Sequence, residues 1–263
     1  MPHKLGQVFL IDNNIISKIV NSELLNKDEN ILEIGCGDGA MSLPLAKKVR
    51  HLTIVELDQK CIDATQITCQ SQDNITYIHQ DILKTNLSEL YPKPYFIIAN
   101  IPYYLSAKLI QQLVVHRTQV KRATLMVQKE FATKLTANTG KKDHTSLTLY
   151  TQFYFTVKSL FDVSKTCFKP IPKIDSTVIQ LTPRSSPLFE VNEERFFKLI
   201  NSAFWGRRKQ LISALKKSPF ISLKKGFESC DFFNKNKLVR GETLDLTSFY
   251  EMYKELETKQ FFM

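Results

Sequence analysis

The chain is poor in the residues from which cross-linked or metal-built proteins are made. Its 263 residues hold five cysteines, Cys36, Cys61, Cys69, Cys167 and Cys230, an odd number at irregular spacing with no C-x-x-C pair. That argues against a zinc ribbon or a redox dithiol and fits reduced thiols in a reducing cytosol, so a cytoplasmic location is expected. The five histidines are scattered with no H-E-x-x-H motif, and no metal site is expected. No run of about 18 apolar residues exists, so no membrane-spanning helix is expected. The N-terminal stretch carries Asp12, Asn13 and Asn14 among its apolar residues and offers no small-residue cleavage site, so no secretory leader is expected. Internal repeats and low-complexity tracts are missing too.

What is present is an ordinary globular composition, 43% hydrophobic and 24% charged, which excludes wholesale disorder. The length suits one large domain, or one of roughly 180 residues with a small appendage. Lys and Arg number 36 against 26 Asp and Glu, a net charge of +10. A basic excess of this size favours a polyanionic partner, nucleic acid or an acidic membrane surface, although a soluble enzyme can also simply be basic.

The first two-thirds alternate short apolar runs with helical patterns. Strands are expected at 30–34, 51–56, 75–79, 95–99 and 123–127, with helices from the glycine loop to about Val49, from Gln59, over Ser106–Val115 and around Glu130–Ala137. Strands spaced by helices mean βαβ units and a mainly parallel sheet. After a polar turn at Thr139–Asp143, the segments Leu147–Val157 and Thr177–Leu181 read as late strands closing the sheet antiparallel. From Arg184 the signals are helical, at Glu193–Ala203, Arg207–Lys216 and Ser248–Glu257. A boundary near Pro183 is therefore expected, giving a body over 1–183 and a helical domain over 184–263. Half of the net charge falls in that shorter second part.

Behind the first strand stands Gly35-Cys36-Gly37-Asp38-Gly39, a strand–G-x-G-x-G–helix turn that lets a nucleotide-like ligand approach the backbone. The same glycines would serve a tight turn with no ligand, and the looser dinucleotide pattern is also met. NAD(P) and S-adenosylmethionine therefore compete. Glu33, at the end of the strand, places a carboxylate within reach of a cationic ammonium, which S-adenosylmethionine has and NAD lacks. Asp38 would repel a pyrophosphate. Glu56, ending the second strand, can bond ribose hydroxyls in either cofactor. Asp81, after the third strand, can accept from an adenine amino group or cap a helix.

Asn100-Ile101-Pro102-Tyr103-Tyr104 follows the fourth strand, in the crevice beyond the carboxyl ends where α/β sheets bind ligands. Its parts suit methylation of an exocyclic amine. The Asn100 side-chain oxygen and a backbone carbonyl beside Pro102 can accept the two N–H bonds and aim the nitrogen lone pair at a methyl donor. Pro102 fixes the backbone, and Tyr103 offers a ring for a base to stack on. Chemistry on a base needs that base out of its stack.

Together Gly6-Gln7-Val8-Phe9-Leu10, Leu32-Glu33-Ile34-Gly35-Cys36-Gly37, Asn100-Ile101-Pro102-Tyr103, Gln128-Lys129-Glu130 and Phe168-Lys169-Pro170-Ile171-Pro172-Lys173-Ile174-Asp175-Ser176 resemble the ribosomal RNA adenine N6-dimethyltransferases, from Gly6 to about Leu215. That family includes the KsgA enzymes of small-subunit RNA and the Erm enzymes of large-subunit RNA. The resemblance implies a Rossmann-like class I S-adenosylmethionine-dependent methyltransferase fold, an α/β fold with a mainly parallel seven-stranded sheet and helices on both faces, plus a small all-helical C-terminal domain. It implies a cofactor site at Val8, Leu10, Glu33, Gly35, Gly37, Glu56, Asp81, Ile82 and Asn100. Asn100 and Pro102 would hold the target amine, with Tyr103 and Phe168 sandwiching the adenine, although Phe168 would serve equally as packing.

The proline-rich segment, Ala203-Phe204-Trp205-Gly206-Arg207-Arg208-Lys209-Gln210-Leu211 and the ending Arg240-Gly241-Glu242-Thr243-Leu244 look like the KsgA branch, with Erm-type 23S methylation as the alternative. Arg207, Arg208 and Lys209 on a helix, with Lys141 and Lys142, then read as RNA contacts or as a solvated face. The expected partner is 16S rRNA in the small subunit or its precursor, with two adjacent adenines of the 3′-terminal hairpin dimethylated in late subunit biogenesis. A monomer is expected and no membrane, since no basic amphipathic segment or lipidation signal stands out. Three places depart from the family pattern: Val8 where Asn or His is usual, Tyr104 where Asn is usual, and His144-Thr145-Ser146 where an aromatic, Gly and Arg are usual. From other classes remain a non-catalytic nucleic-acid-binding factor on the same fold and an NAD(P) oxidoreductase. A DNA adenine methyltransferase would need a sequence-reading domain larger than this tail.

Overall fold

The computed structural model of the chain describes residues 8–263, with the backbone but not the side chain of Tyr103. Gly6 and Gln7 of the first motif lie outside the described residues. In chain order the elements are β1 (Phe9–Leu10), α1 (Asn13–Val20), β2 (Asn30–Ile34), α2 (Ser42–Ala46), β3 (His51–Glu56), α3 (Gln59–Thr68), β4 (Ile75–His79), β5 (Tyr95–Asn100), α4 (Ser106–Val115), β6 (Val120–Gln128), α5 (Lys129–Leu135), α6 (Ser146–Tyr154), β7 (Phe155–Val163), β8 (Phe168–Lys169), β9 (Ser176–Pro183), α7 (Glu193–Trp205), α8 (Leu211–Lys217), α9 (Asp231–Lys235) and α10 (Leu246–Thr258).

Seven strands form one sheet in the order β4-β3-β2-β5-β6-β9-β7. The first five are parallel to their neighbours, and β9 and β7 close the sheet antiparallel. The parallel strands are near-continuous apolar runs because both faces are covered. On one face Ile31, Leu52, Ile54, Phe96 and Ile98 join Ile16 and Ile19 of α1, Leu45 and Ala46 of α2 and Cys61 of α3 in one core cluster. Strand order reverses direction between β2 and β5, so right-handed crossovers place α4 on the opposite face. That reversal opens the crevice in which such sheets bind ligands.

Caps fix where the helices begin. The Asp12 carboxylate accepts the Asn14 and Ile15 N–H groups at 2.9 and 3.2 Å, and Asp58 accepts Lys60 N–H at 3.0 Å. Helix α1 was not anticipated, yet Asp12 ahead of the Ile15, Ile16, Ile19 spacing is its signal.

Two expectations are corrected. Leu147–Tyr154 is helix rather than strand, and β7 begins only at Phe155. The β-branched residues misled: Thr145 and Thr148 cap reciprocally through N–H to hydroxyl bonds of 3.0 and 3.3 Å, and the Thr151 hydroxyl donates to Leu147 O at 2.8 Å. Tertiary packing overrides their strand preference, for Phe153 sits among Phe189, Phe196 and Phe197 with ring centroids 5.3–6.4 Å away. Second, Arg207–Lys209 is a turn rather than the start of a helix. Gly206 ends α7, Lys209 N–H donates back to Gly206 O at 2.7 Å, and α8 starts at Leu211.

The chain forms two compact units. One runs to Ala132 and resumes over Phe155–Pro183; the other joins Thr133–Tyr154 to Arg184–Met263. The segment just before β7 thus groups with the helical tail, through the Phe153 cluster. Among the described residues no helix is long and apolar enough to cross a membrane.

Within the second unit, Gly241 lies so close to α7 that a Cβ there would stand 2.6 Å from both Cβ and O of Ala203. Gly241→Ala should destabilise the protein by about 1–3 kcal/mol, read as a lower urea midpoint; an unchanged midpoint would mean that the segment shifts without cost.

Candidate active site

Three glycines with positive φ, Gly35 (77°), Gly37 (59°) and Gly39 (85°), carry the chain from β2 toward α2. The turn is also crowded. A Cβ on Gly37 would come within 3.0 Å of the Phe9 ring, and one on Gly39 within 3.1 Å of Thr65 Cγ2. Any side chain there is opposed by both backbone and space.

Glu56 ties this turn to the end of β3. Its Oε2 accepts Cys36 N–H at 3.1 Å, while Oε1 accepts Leu57 N–H at 2.7 Å and Asp58 N–H at 2.9 Å. The Cys36 thiol, 3.9 Å from Oε2, is a fourth and weaker donor, the one that a ligand hydroxyl can displace from a carboxylate of about four acceptor sites. Asp81 follows β4 and caps the next turn, its Oδ1 accepting Leu83 N–H at 2.9 Å. Asn100 is the last residue of β5, paired with Met126, and Ile101 N–H donates to Met126 O at 3.1 Å. Pro102 O accepts Leu105 N–H at 2.9 Å, which fixes the path out of the strand.

These strand ends enclose a cavity of about 340 Å³, within the range of small-molecule sites. Val8, Leu10, Glu33, Gly35, Gly37, Glu56, Asp81, Ile82, Asn100 and Pro102 all line it. The Tyr103 side chain lies outside the described residues. Phe168 does not line the cavity. It is 1% exposed, paired with Leu10 across β1 and β8, and packed in the core cluster. As it stands, neither face of the ring is open to a base, and core packing accounts for it.

Glu33 is wholly buried, and neither carboxyl oxygen has a hydrogen-bond partner. Burial is the main reason its pKa is pushed up to about 8; the Ser42 hydroxyl beside it pulls the other way, and the Glu56 charge adds to the rise. The neighbouring Cys36 thiol is held protonated, also chiefly by burial, and is no nucleophile. An orphaned buried carboxyl facing a ligand cavity fits an ammonium-bearing ligand, which would supply the missing partner.

Sequence reasoning missed Phe9, Tyr104 and Lys108 in the cavity wall. Phe9 lies between two residues that were singled out. Tyr104 is 65% exposed, and Lys108 follows one helical turn later, a spacing that puts both on one side. Of the basic residues, Arg207 is taken up internally: Nε donates to Glu242 Oε2 at 3.1 Å and Nη2 to Lys142 O at 2.6 Å. That brings the Lys141–Lys142 turn to the Arg208–Lys209 turn. His144, one of the departures, is buried beneath, its Nδ1 2.9 Å from Glu242 O and its ring edge-on to Phe204.

A seven-stranded mixed sheet with the glycine turn and acidic strand ends around one cavity defines a Rossmann-like class I methyltransferase. Comparison with known proteins narrows this. A family model, Ribosomal RNA adenine dimethylase, matches residues 2–257. The chain is 36% identical to Ribosomal RNA small subunit methyltransferase A of Lachnoclostridium phytofermentans, over 97% of this chain and 91% of that one, and 34% identical to that of Bacillus pumilus, over 98% and 91%. Among solved structures it is similar to a dimethyladenosine transferase from Plasmodium falciparum (TM-score 0.83, 26% identity, 97% of this chain and 99% of that one) and to the 23S rRNA methyltransferase ErmE (TM-score 0.70, 26% identity, 95% and 99%). The chain belongs to the ribosomal RNA adenine dimethylase family of methyltransferases.

Because Glu33 binds its proton more tightly folded than unfolded, the folded state loses stability as pH rises from the ordinary glutamate range through about 8. Thermal melts should show Glu33→Gln gaining on the wild type between pH 5 and pH 9, by at least about 1 kcal/mol. A gap independent of pH would mean that the carboxyl ionises without penalty.

Proposed function

We propose that this enzyme dimethylates N6 of two adjacent adenines in the 3′-terminal hairpin of 16S rRNA, on the small subunit or its precursor late in assembly. The observation that carries the reading is that Asn100 and Pro102 share one cavity with the glycine turn, Glu33, Glu56 and Asp81. S-adenosyl-L-methionine supplies the methyl group as a sulfonium. Glu56 takes its ribose, Asp81 its adenine amino group, and Leu10, Ile82 and Val8 its apolar flanks. Gly35 and Gly37 let the backbone close on it. Glu33 faces its ammonium and gives up its proton on binding, since a cation beside a buried carboxyl reverses the effect of burial.

Asn100 does the positioning that the amine needs. The N6 lone pair of adenine is delocalised into the ring, and two accepted N–H bonds, one at the Asn100 side-chain oxygen and one at a backbone carbonyl beside Pro102, favour a pyramidal nitrogen aimed at the methyl. Orientation of this kind supplies most of the rate. No strong base is required, because the proton becomes acidic once the nitrogen is alkylated. Tyr103 stacks on the base, while Phe168 supports the strand that borders the cavity. The RNA-contact role passes from Arg207, which is used internally, to Arg208 and Lys209 with Lys141 and Lys142. The small subunit is favoured over 23S RNA by the name and identity of the relatives that span the whole chain.

Labelled S-adenosylmethionine should enter unmethylated small subunits at two adjacent adenines and leave large subunits unlabelled. Label in large subunits would move the assignment to the 23S type; no label and no cofactor binding at high micromolar concentration would favour a non-catalytic RNA-binding protein. Asn100→Ala should still bind cofactor, since Asn100 only borders it, and lose turnover by orders of magnitude. Tyr103→Ala should lose roughly 1–3 kcal/mol of stacking, read as kcat/KM on small subunits.

A further inference from the structure

We propose that Trp205 is a base-stacking platform for RNA, with Lys209 at its ring and Lys141, Lys142 and Arg208 on the two basic turns that Arg207 joins. Trp205 ends α7 and is 46% exposed, although an indole is normally among the more buried side chains. It is the one tryptophan of the chain.

The surroundings are built rather than incidental. The turn from Gly206 to Lys209 folds the chain back so that Lys209 Nζ lies 4.6 Å from the Trp205 ring centroid, a cation over an aromatic face. Gly206 permits the fold, since a Cβ there would stand 3.1 Å from Lys209 Cδ and 3.3 Å from Ala214 Cβ. Arg207 locks it from below through Glu242 and Lys142 O, and so holds the Lys141–Lys142 turn alongside. The Glu242 charge is matched by Arg207 at 3.1 Å. Lys141, Lys142, Arg208 and Lys209 are exposed, and none forms an ion pair among the described residues.

The result is an exposed aromatic ring with Lys209 against it, beside turns that carry three further exposed cations, Lys141, Lys142 and Arg208, without an ion pair among the described residues. A protein partner would be met by an apolar centre with a mixed polar rim; here a cation lies against the ring itself and the exposed charges of the two adjoining turns are basic, which suits phosphates beside a base stacked on the exposed indole. Preorganisation favours affinity, because the ring and the turn lose little freedom on binding. The chemical class recognised is an unpaired or end-exposed nucleotide of RNA, whose base presents a π-face. This inference rests on RNA being the substrate, and its test uses binding rather than turnover.

Because Trp205 is the sole tryptophan, emission excited at its absorption edge reports on this ring alone. Titration of the wild type with a protein-free RNA hairpin carrying a single-stranded 3′ end should quench that emission, in a salt-dependent way. Trp205→Leu should raise the KM for unmethylated small subunits about tenfold or more, with kcat and cofactor affinity unchanged. Trp205→Phe should restore most of the affinity, since a ring stacks and a leucine does not. RNA binding with silent emission, or equal affinity of the Leu and Phe variants, would overturn the proposal. Emission that responds to intact small subunits but not to protein-free RNA would also overturn it, in favour of a ribosomal protein. Quenching by RNA in a protein that fails to methylate small subunits would refute the proposed function and leave this inference standing.

Discussion

Three backbone N–H groups converge on the carboxylate of Glu56, and the catalytic half of the molecule is organised around that convergence. One comes from the glycine turn after β2, and two come from the turn after β3. The two strands are neighbours in the sheet, paired from Asn30 with His51 to Ile34 with Val55. Parallel pairing brings their carboxyl ends level, and the Glu56 bonds then fix the two departing turns relative to each other. The glycines make this possible, since three positive φ angles within five residues are accessible to few other side chains. Strand ends and turns together form a cavity lined by the glycine turn, by apolar side chains such as Val8, Leu10 and Ile82, and by the carboxyl groups of Glu33, Glu56 and Asp81.

Glu33 shows the cost of building a site from the ends of buried strands. A carboxyl placed one residue inside the strand end loses its hydration and gains no partner in the free protein. Its proton is therefore retained into the neutral range. Such a group destabilises the fold above that range.

The second unit is organised by close approach rather than by a sheet. Gly241 lets the segment before α10 touch α7, and Glu242 then meets Arg207, the Gly140 N–H and His144. Two basic turns far apart in the chain are held together by that one knot. The His144-Thr145-Ser146 departure falls here. His144 occupies a packing position with a hydrogen bond, and Thr145 caps α6. These residues therefore serve the packing of the unit.

The first four parallel strands were legible in the sequence almost to the residue, the fifth only in its middle, since β6 runs over Val120–Gln128, and the acids and glycines at the strand ends were legible too. Buried parallel strands need continuous apolar runs, glycine turns need glycine, and the acids that follow each strand stand at spacings that the βαβ repeat sets. The residues whose roles depend on long-range packing were not legible. Leu147–Tyr154 carries strand formers but becomes helix because Phe153 finds its partners some forty residues away. Phe168 reads as a stacking ring but is buried in the core cluster, on the strand paired with β1. Arg207 reads as a phosphate contact but is spent on Glu242 and Lys142. The succession of strands, the glycine turn and the acids at each strand end are written in the amino-acid order alone, because local periodicity and backbone geometry dictate them. Which of three adjacent cations stays free, which aromatic stays exposed and which acid keeps its proton emerge only on folding, because charge, exposure and desolvation are properties of neighbours brought together from distant parts of the chain.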